Sequence, residues 1–576
     1  MKKIIFLDVE ADSLTPTVIH CVCGLIDGKE FWTAHPEELQ EYIKGGNIIV
    51  GHNILGYDKP VLERLWNIDF EGCFLVDTLV MSRIAEPCRE GGHSLRNWGE
   101  YLRMPKAVHE DFEEFSEEML AYCQQDVRLT KAVYDRLLLD LEDFSDESIQ
   151  LEHEVQRIIL DQMDSGWLLD QEKTFMLLAE LKEKKNDIEE EVRTTFKPLP
   201  SFIREVTPRI KKDGSLSIVG LRFLGSLWES VGGDFSRIDW EEFNLGSRQQ
   251  IAKQLQYFGW KPDQFTATGQ PVINEKVLAS IKNIPEASLI SEYLMIQKRI
   301  AQVQSWQDAV QDDGRVHGYV NANGTVTGRM THSSPNMGQI PAIYSPYGAE
   351  CRRCWIVPNG YKLVGVDASG LELRMLAHYM NDKEFTNEIL TGDIHTRNQR
   401  LAGLGTRDQA KTFIYAFLYG AGDEKIGSIV GGNSTDGRDL KRKFLKNTPA
   451  LARLREAVGR ASTRGFLYGL DRRRIAVRSE HSALNTLLQS AGSIVMKHAL
   501  RLLENTAILP FWNDEPWEYR FIGNIHDEIQ TEVKENQAEK FGQMAVDCLE
   551  ETGKQLKLKC PLTGDYKVGD NWAETH

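Results

Sequence analysis

The apolar run Ile4-Ile5-Phe6-Leu7 leads directly into Asp8-Val9-Glu10, a pattern that predicts a buried strand ending on charge. A second strand is predicted at Ile48-Ile49-Val50, and a helix over Glu117 to Leu141. This alternation makes residues 1 to about 145 an α/β unit. The acidic stretch Asp140 to Asp146 then reads as a junction. Asp170 is a helix N-cap, with Phe175, Leu178, Leu181, Ile188 and Val192 at helical spacing until Pro198 and Pro200. Between Phe202 and Phe243 the character changes. Val206 to Lys212, Asp213-Gly214 and Leu216 to Val219 predict a hairpin there. Helix is expected again from Ser247 to Gln311. Strands and helices mix from Gly318 onward, with a dense helical block between Asn381 and Arg464. No internal repeat or low-complexity tract occurs.

Length and composition narrow the classes. A chain of 576 residues is too long for one core, so at least two domains are expected. Hydrophobic residues are 41% and charged residues 27%, ordinary for a soluble globular protein, and no apolar run approaches membrane-spanning length. Met1 to Leu7 lacks the length and cleavage site of a signal peptide. The nine cysteines fit a reducing cytoplasm, and Cys351-Arg352-Arg353-Cys354 has no second pair to complete a zinc site. The net charge of −17 does not exclude nucleic acid, because DNA responds to local field. Basic residues gather at Arg397, Arg400, Arg407, Lys411, Lys441 to Lys443 and Arg472 to Arg474, whereas acids gather at Glu110 to Glu118 and Asp140 to Glu154.

The candidate chemistry lies in two acidic sets. Asp8 and Glu10, two apart on a strand, project from one face. Asp58 follows in His52-Asn53-Ile54-Leu55-Gly56-Tyr57-Asp58, and Tyr122 and Asp126 share a helix face. Farther along, Lys362 to Val366 is a strand that breaks at Asp367 and becomes a helix. Asp527-Glu528 sits at the turn between Phe521 to Ile525 and Ile529 to Val533. Paired carboxylates suit hard divalent ions that flank a reacting phosphorus. Between these acids, Arg407, Lys411, Tyr415 and Tyr419 recur every four residues, each offset by about 40° from the last. Cations and rings on one stripe suit a nucleoside triphosphate. Gly420, Gly422 and Gly427 do not form a P-loop, since no G-x4-G-K-[ST] is present.

The order Asp-x-Glu, Asn-x4-Asp, Tyr-x3-Asp resembles the motifs of DEDD-type 3′-5′ exonucleases, in the subclass with Tyr in the last motif. That resemblance implies an RNase H-like fold, with Asp8, Glu10, Asp58 and Asp126 holding two Mg²⁺ and Tyr122 positioning the attacking water. Asp367 to Arg374, Gly392 to Thr396, Lys411 to Tyr415, Leu418 to Gly427, Leu484 to Gly492 and Thr327-Gly328-Arg329, with His526-Asp527-Glu528, resemble the motifs of family A DNA polymerases, particularly the replicative enzymes of short-tailed phages. This implies a multidomain α/β protein: an exonuclease over 1–145, then a right-hand polymerase over 146–576. The thumb is expected at about 146–310 with an insertion at 198–243, the palm at about 311–382 and 481–576, and the fingers at about 383–480.

By the same resemblance, Asp367, Asp527 and the Ala368 carbonyl hold two Mg²⁺, with Glu528 supporting them. His395, Arg407 and Lys411 bind the triphosphate, and Lys411 can protonate pyrophosphate. Glu372 is the gate against a ribose 2′-hydroxyl, Tyr415 lies near the sugar 3′ position, and Tyr419 stacks on the template. Arg329, Asn485, Gln489 and His526 read the minor groove. Implied partners are primer-template DNA and dNTPs, and no membrane. Docking of a replicative helicase and a single-strand-binding protein is left open. The expected location is the cytoplasm, that of a bacterial host if the chain is phage-encoded.

Some phage enzymes carry a thumb insertion that recruits thioredoxin as a processivity factor. Residues 198–243 occupy that place, but apart from Pro208 to Lys211 they lack its basic, proline-rich character and offer Trp228, Phe235 and Trp240 instead. That speaks against thioredoxin and leaves another partner, direct DNA contact or a plain hairpin. Rival readings are a single-subunit RNA polymerase, opposed by Glu372 and the fused exonuclease; a decayed scaffold, opposed by the full set of carboxylates; and a dedicated nuclease.

Overall fold

Residues 4–11 run through the middle of a five-stranded sheet, and Ile5, Phe6, Leu7, Val9 and Ala11 are buried, on both faces, as a central strand requires. In the computed structural model, which describes residues 2–44, 46–207, 211–215, 234–508 and 516–576, two units are distinguished. The larger comprises Met1–Leu169 and Ala309–His576, the smaller Asp170–Asp308.

The first sheet of the larger unit contains β1 (Ile4–Ala11), β2 (Ile19–Ile26), β3 (Lys29–Thr33), β4 (Ile48–Gly51) and β5 (Phe74–Asp77), in the order β3-β2-β1-β4-β5. The strands β1, β2 and β3 pair antiparallel, whereas β4 and β5 join parallel to β1. Helices in this part of the chain include α1 (Asp58–Trp66), α2 (Leu95–Tyr101), α3 (Glu117–Asp140) and α4 (Asp146–Ser165). Ser116 caps α3 by accepting the Met119 N–H, and Glu117 and Glu118 favour its N-terminal dipole. Its buried stripe, Met119, Cys123, Asp126, Val127 and Thr130, packs on β1 and β2.

In the smaller unit, Asp170 accepts the Lys173 N–H and so caps α5 (Gln171–Thr195), as its sequence predicts. The predicted helix from Ser247 to Gln311 is instead interrupted. Helix α6 (Arg248–Tyr257) ends before Gly259 and Pro262, and α7 (Ala287–Ala309) begins only after Pro285. Strands β6 (Leu199–Val206) and β7 (Phe235–Glu241) pair antiparallel. The hairpin expected from Val206 to Val219 falls largely on 208–210 and 216–219, outside the described residues, as does Trp228. Its turn is described: Ser215 N–H donates to Asp213 Oδ1 at 3.0 Å.

The second sheet of the larger unit is antiparallel throughout. It contains β8 (Tyr361–Ala368), β9 (Tyr519–Ile525), β10 (Glu528–Lys534) and β11 (Gly564–Gly569), ordered β9-β10-β8-β11. Between β8 and β9 the chain forms α8 (Leu371–Met380), α9 (Ile394–Ala402), α10 (Arg407–Leu418) and α11 (Ala483–Ile508), among others, and α12 (Ala538–Gln555) follows β10. Helix α4, inside the interval expected for the thumb, lies in the larger unit and packs on β9 and α11.

A buried ionic cluster ties α4 to much later segments. Glu152 accepts from Lys497 Nζ at 2.8 Å, from Arg473 and from Asn323 Nδ2 at 2.6 Å, while Arg473 also pairs with Asp471. Arg473 is therefore enclosed by the fold and does not join the other basic residues named from the sequence at the surface. Glu152→Ala leaves two buried cations short of a partner and is expected to cost about 3–5 kcal/mol; urea unfolding of the two proteins measures it.

Candidate active sites

The strand β1 puts Asp8 and Glu10 at the rim of a cavity of about 460 Å³, which Asp58, Tyr122 and Asp126 also line. All five predicted residues are brought together. Asp58 opens α1 and accepts the Val9 N–H at 3.1 Å, which fixes that helix to the strand. The 52–58 loop is held by Asp77, which accepts the N–H groups of Asn53 at 2.8 Å and Leu55 at 3.2 Å. Asp77 was not singled out from the sequence; as the last residue of β5 before a helix, its signal was that of an ordinary N-cap.

The charge gathered here is energetically unbalanced. Burial, then repulsion from Asp126, Asp58 and Glu10, raises the Asp8 carboxyl well above its usual range. Burial and Asp126 push Glu10 to about 8, and burial pushes Asp58 to about 7. Lys106, also unforeseen, places Nζ 2.5 Å from Asp126 Oδ2. Burial opposes its charge, but Asp126 and Tyr122 outweigh that and raise its pKa. The other oxygen, Asp126 Oδ1, is buried with no hydrogen-bond partner, and Asp8, Glu10 and the Cys123 thiol bring carboxylate oxygens and a sulfur within 4.8 Å of one another. The carboxylate oxygens, with an unused buried lone pair on Asp126, fit hard divalent ions, while the Cys123 thiol is occupied in donating to Asp8 at 3.6 Å.

In the second sheet, Asp367 on β8 stands opposite Glu528 on β10 and Asp565 on β11. The Ala368 N–H donates to the Asp527 carbonyl at 3.0 Å, so the predicted acids do converge. His526 adopts φ 59° at the tight β9–β10 turn, which presents Asp527 at its tip. Burial, with Asp527 and Glu528 nearby, pushes Asp367 to about 6. Glu528 is occupied differently: it accepts from Trp572 Nε1 at 2.8 Å, from Gln530, and meets His576 Nδ1 at 3.0 Å. Burial would raise its carboxyl, but these partners hold it below the ordinary range. Its geometry is that of a brace beneath the acids. Asp565, missed in the sequence, accepts from Ser369 Oγ at 2.9 Å.

Helix α10 carries Arg407, Lys411 and Tyr415 on one stripe, with Tyr419 at its C-cap. A Thr406–Gln409 capping box starts the helix. Arg407 and Lys411 are exposed; Arg407 Nε pairs with Asp393 at 2.7 Å, and the His395 ring lies 6.2 Å from that of Tyr415. Tyr419 donates its hydroxyl to Glu372 Oε2 at 2.8 Å, and Arg329 reaches Oε1 of the same carboxylate at 3.3 Å. Tyr419 is thus tied to Glu372 in this structure, where the sequence suggested stacking on a template. Arg329 and His526 line one small cavity, and Asn485 and Gln489 lie half-buried one turn apart on α11.

The model of DNA polymerase family A matches residues 229–574. The chain belongs to this family. The DNA-directed DNA polymerases of Enterobacteria phage T3 and Escherichia phage T7 are each 34% identical to it, over 99% of this chain and 99% of theirs. DNA polymerase I of Pseudomonas aeruginosa is 26% identical over 64% of this chain and 43% of its own length. Among solved structures, the POL domain of Pol1 from M. smegmatis, in complex with DNA primer-template and dNTP, shares the fold. Its TM-score is 0.77 at 17% identity, covering 100% of this chain and 96% of that one. The protein is thus a DNA-directed DNA polymerase, resembles the replicative enzymes of short-tailed phages, and is metal-dependent as family A polymerases are. Among its described residues no helix is long and apolar enough to cross a membrane.

Proposed function

We propose that this family A polymerase extends primers by two-metal nucleotidyl transfer and proofreads with a 3′-5′ exonuclease on the same chain, in phage-type DNA replication. The observation that carries the second half is the convergence of Asp8, Glu10, Asp58, Tyr122 and Asp126 on one cavity. The β3-β2-β1-β4-β5 sheet supports an RNase H-like exonuclease over residues 1–145. Residues 146–576 form the polymerase, with about 146–310 as thumb, including an insertion at 198–243, about 311–382 and 481–576 as palm, and about 383–480 as fingers.

Primer-template DNA and dNTPs are its substrates, and its place of work is the host bacterial cytoplasm. Asp367, Asp527 and the Ala368 carbonyl hold two Mg²⁺; Asp8, Glu10, Asp58 and Asp126 hold two more. Bound Mg²⁺ supplies charge neutralisation at phosphate oxygens. In synthesis the primer 3′-hydroxyl gives its proton to solvent and its oxygen bonds to the α-phosphorus while the α–β bridge breaks, and pyrophosphate leaves. Lys411 is placed to give it a proton, with His395 and Arg407 orienting the triphosphate. In hydrolysis a water held by Tyr122 bonds to the terminal phosphorus and the 3′-oxygen departs with a proton. The test follows a labelled primer with and without dNTPs, and again with the divalent ions chelated. Extension without any shortening of an unpaired 3′ end would remove the exonuclease.

Glu372 gates the sugar, and its two hydrogen bonds to Tyr419 and Arg329 keep it in place. Glu372→Ala is expected to relax discrimination against rNTPs by about 10- to 200-fold, the range of one group's steric exclusion. Competing rNTP and dNTP incorporation measures that ratio.

A further inference from the structure

The loop after α2 delivers a cation into the acidic cavity of the N-terminal site. Lys106 is the one lysine or arginine among the described residues that line it. Its Nζ lies 2.5 Å from Asp126 Oδ2 and 4.7 Å from the centre of the Tyr122 ring. The backbone on both sides of Lys106 is clamped by a single side chain. Gln125 donates Nε2 to the Pro105 carbonyl at 2.7 Å and accepts the Ala107 N–H with Oε1 at 3.2 Å. Gln125 precedes Asp126 on α3, so the helix that carries the acid also fixes the lysine. Close approach of this loop to α2 depends on Gly99, where a Cβ would fall 2.6 Å from the Met104 carbonyl oxygen.

A surface ion pair requires none of this apparatus and contributes little. The bland alternative is a lysine that merely neutralises a crowded site. Two observations go beyond it. Lys106 engages only Oδ2, leaving Oδ1 buried and unpartnered, so the carboxylate is divided between two tasks. The ammonium also lies beside Tyr122, with Nζ 4.7 Å from the centre of its ring.

We propose that Lys106 is a catalytic residue of the hydrolytic site, its ammonium passing from Asp126 Oδ2 to a non-bridging oxygen of the scissile phosphate. The proposal rests on the exonuclease reading of this site. Lys106 exchanges one anionic acceptor for another, so its charge is never left unpaired. As the water oxygen bonds to phosphorus and the bond to the 3′-oxygen breaks, negative charge grows on the non-bridging oxygens. A fixed ammonium there stabilises that charge more than the ground state. Lys106 keeps its protons throughout; the water gives up one proton and the departing 3′-oxygen gains one.

The test uses Lys106→Met, similar in length without charge, and Lys106→Arg, which restores charge. Three quantities are read: single-turnover shortening of a 3′-labelled single strand, Mn²⁺ affinity by calorimetry in a chain that also carries Asp367→Ala, and primer extension as a check of folding. Lys106→Met is expected to slow hydrolysis by about 10²- to 10³-fold, the usual effect of removing one preorganised donor. Mn²⁺ should bind as tightly as before or more tightly, because a competing positive charge is gone. Lys106→Arg should recover part of the rate, and primer extension should persist. Hydrolysis at the wild-type rate in Lys106→Met would overturn the proposal. So would a loss of hydrolysis matched by equal loss of Mn²⁺ affinity, since Lys106 would then only support Asp126. A wild-type enzyme that extends primers but shortens no strand would instead remove the exonuclease reading, before any change at Lys106 is made.

Discussion

Asp367→Ala is expected to abolish primer extension, by more than about 10³-fold, while single strands are still shortened from their 3′ ends. The size of the effect follows from where the side chain sits. Asp367 occupies the end of β8, with Glu528 opposite on one neighbouring strand and Asp565 on the other. Neither neighbour can replace it: Glu528 is held by Trp572, Gln530 and His576, and Asp565 by Ser369. Alanine therefore removes the proposed metal ligand at the end of β8, where Glu528 is already held by other partners. Fold stability should not suffer, because the carboxyl is held at about 6 by burial and by Asp527 and Glu528, so its charge is a cost to the folded state. A labelled primer-template incubated with dNTPs, beside a labelled single strand without them, reads both activities at once. Loss of both would refute independent sites.

The second large effect is the converse. Asp8→Ala is expected to eliminate strand shortening and to leave extension intact. The Asp8 carboxyl is raised well above its usual range, with burial first and then Asp126, Asp58 and Glu10 all opposing its charge. Such accumulated repulsion is what divalent ions relieve, and removing one of the converging carboxylates takes away part of what would hold them. The two acidic sites lie on different sheets with separate apolar cores beneath them, which is why the effects should not cross over. Shortening of a mispaired primer, measured with and without Asp8→Ala, decides it. Persistent hydrolysis at the wild-type rate would sink the assignment.

What could be read from the sequence was whatever repeats along the chain. A two-residue spacing put Asp8 and Glu10 on one face, and a four-residue spacing did the same for Tyr122 and Asp126. The acid-bearing turn at His526-Asp527 was visible because strand patterns flank it. Lys106 was not legible, since it belongs to an irregular loop whose path depends on Gly99 and the Gln125 clamp. The bond from Tyr419 to Glu372 spans 47 residues, and no local pattern encodes it. Arg473 misled for a related reason. A run of three arginines looks like a DNA-facing patch until a fold supplies Asp471 and Glu152 to bury the middle one. Breaks in the long helical stretch after Ser247 were signalled by Pro262 and Pro285, and apolar spacing alone overlooked them.

The Glu152 cluster has a bearing on how the chain is made. Glu152 leaves the ribosome 345 residues ahead of Lys497, an interval on the order of tens of seconds at ordinary rates of synthesis. Until Arg473 emerges, 321 residues after Glu152, α4 has neither of its two cationic anchors, and its carboxylate must stay in water. The nascent helix therefore cannot seat itself until most of the message has been translated.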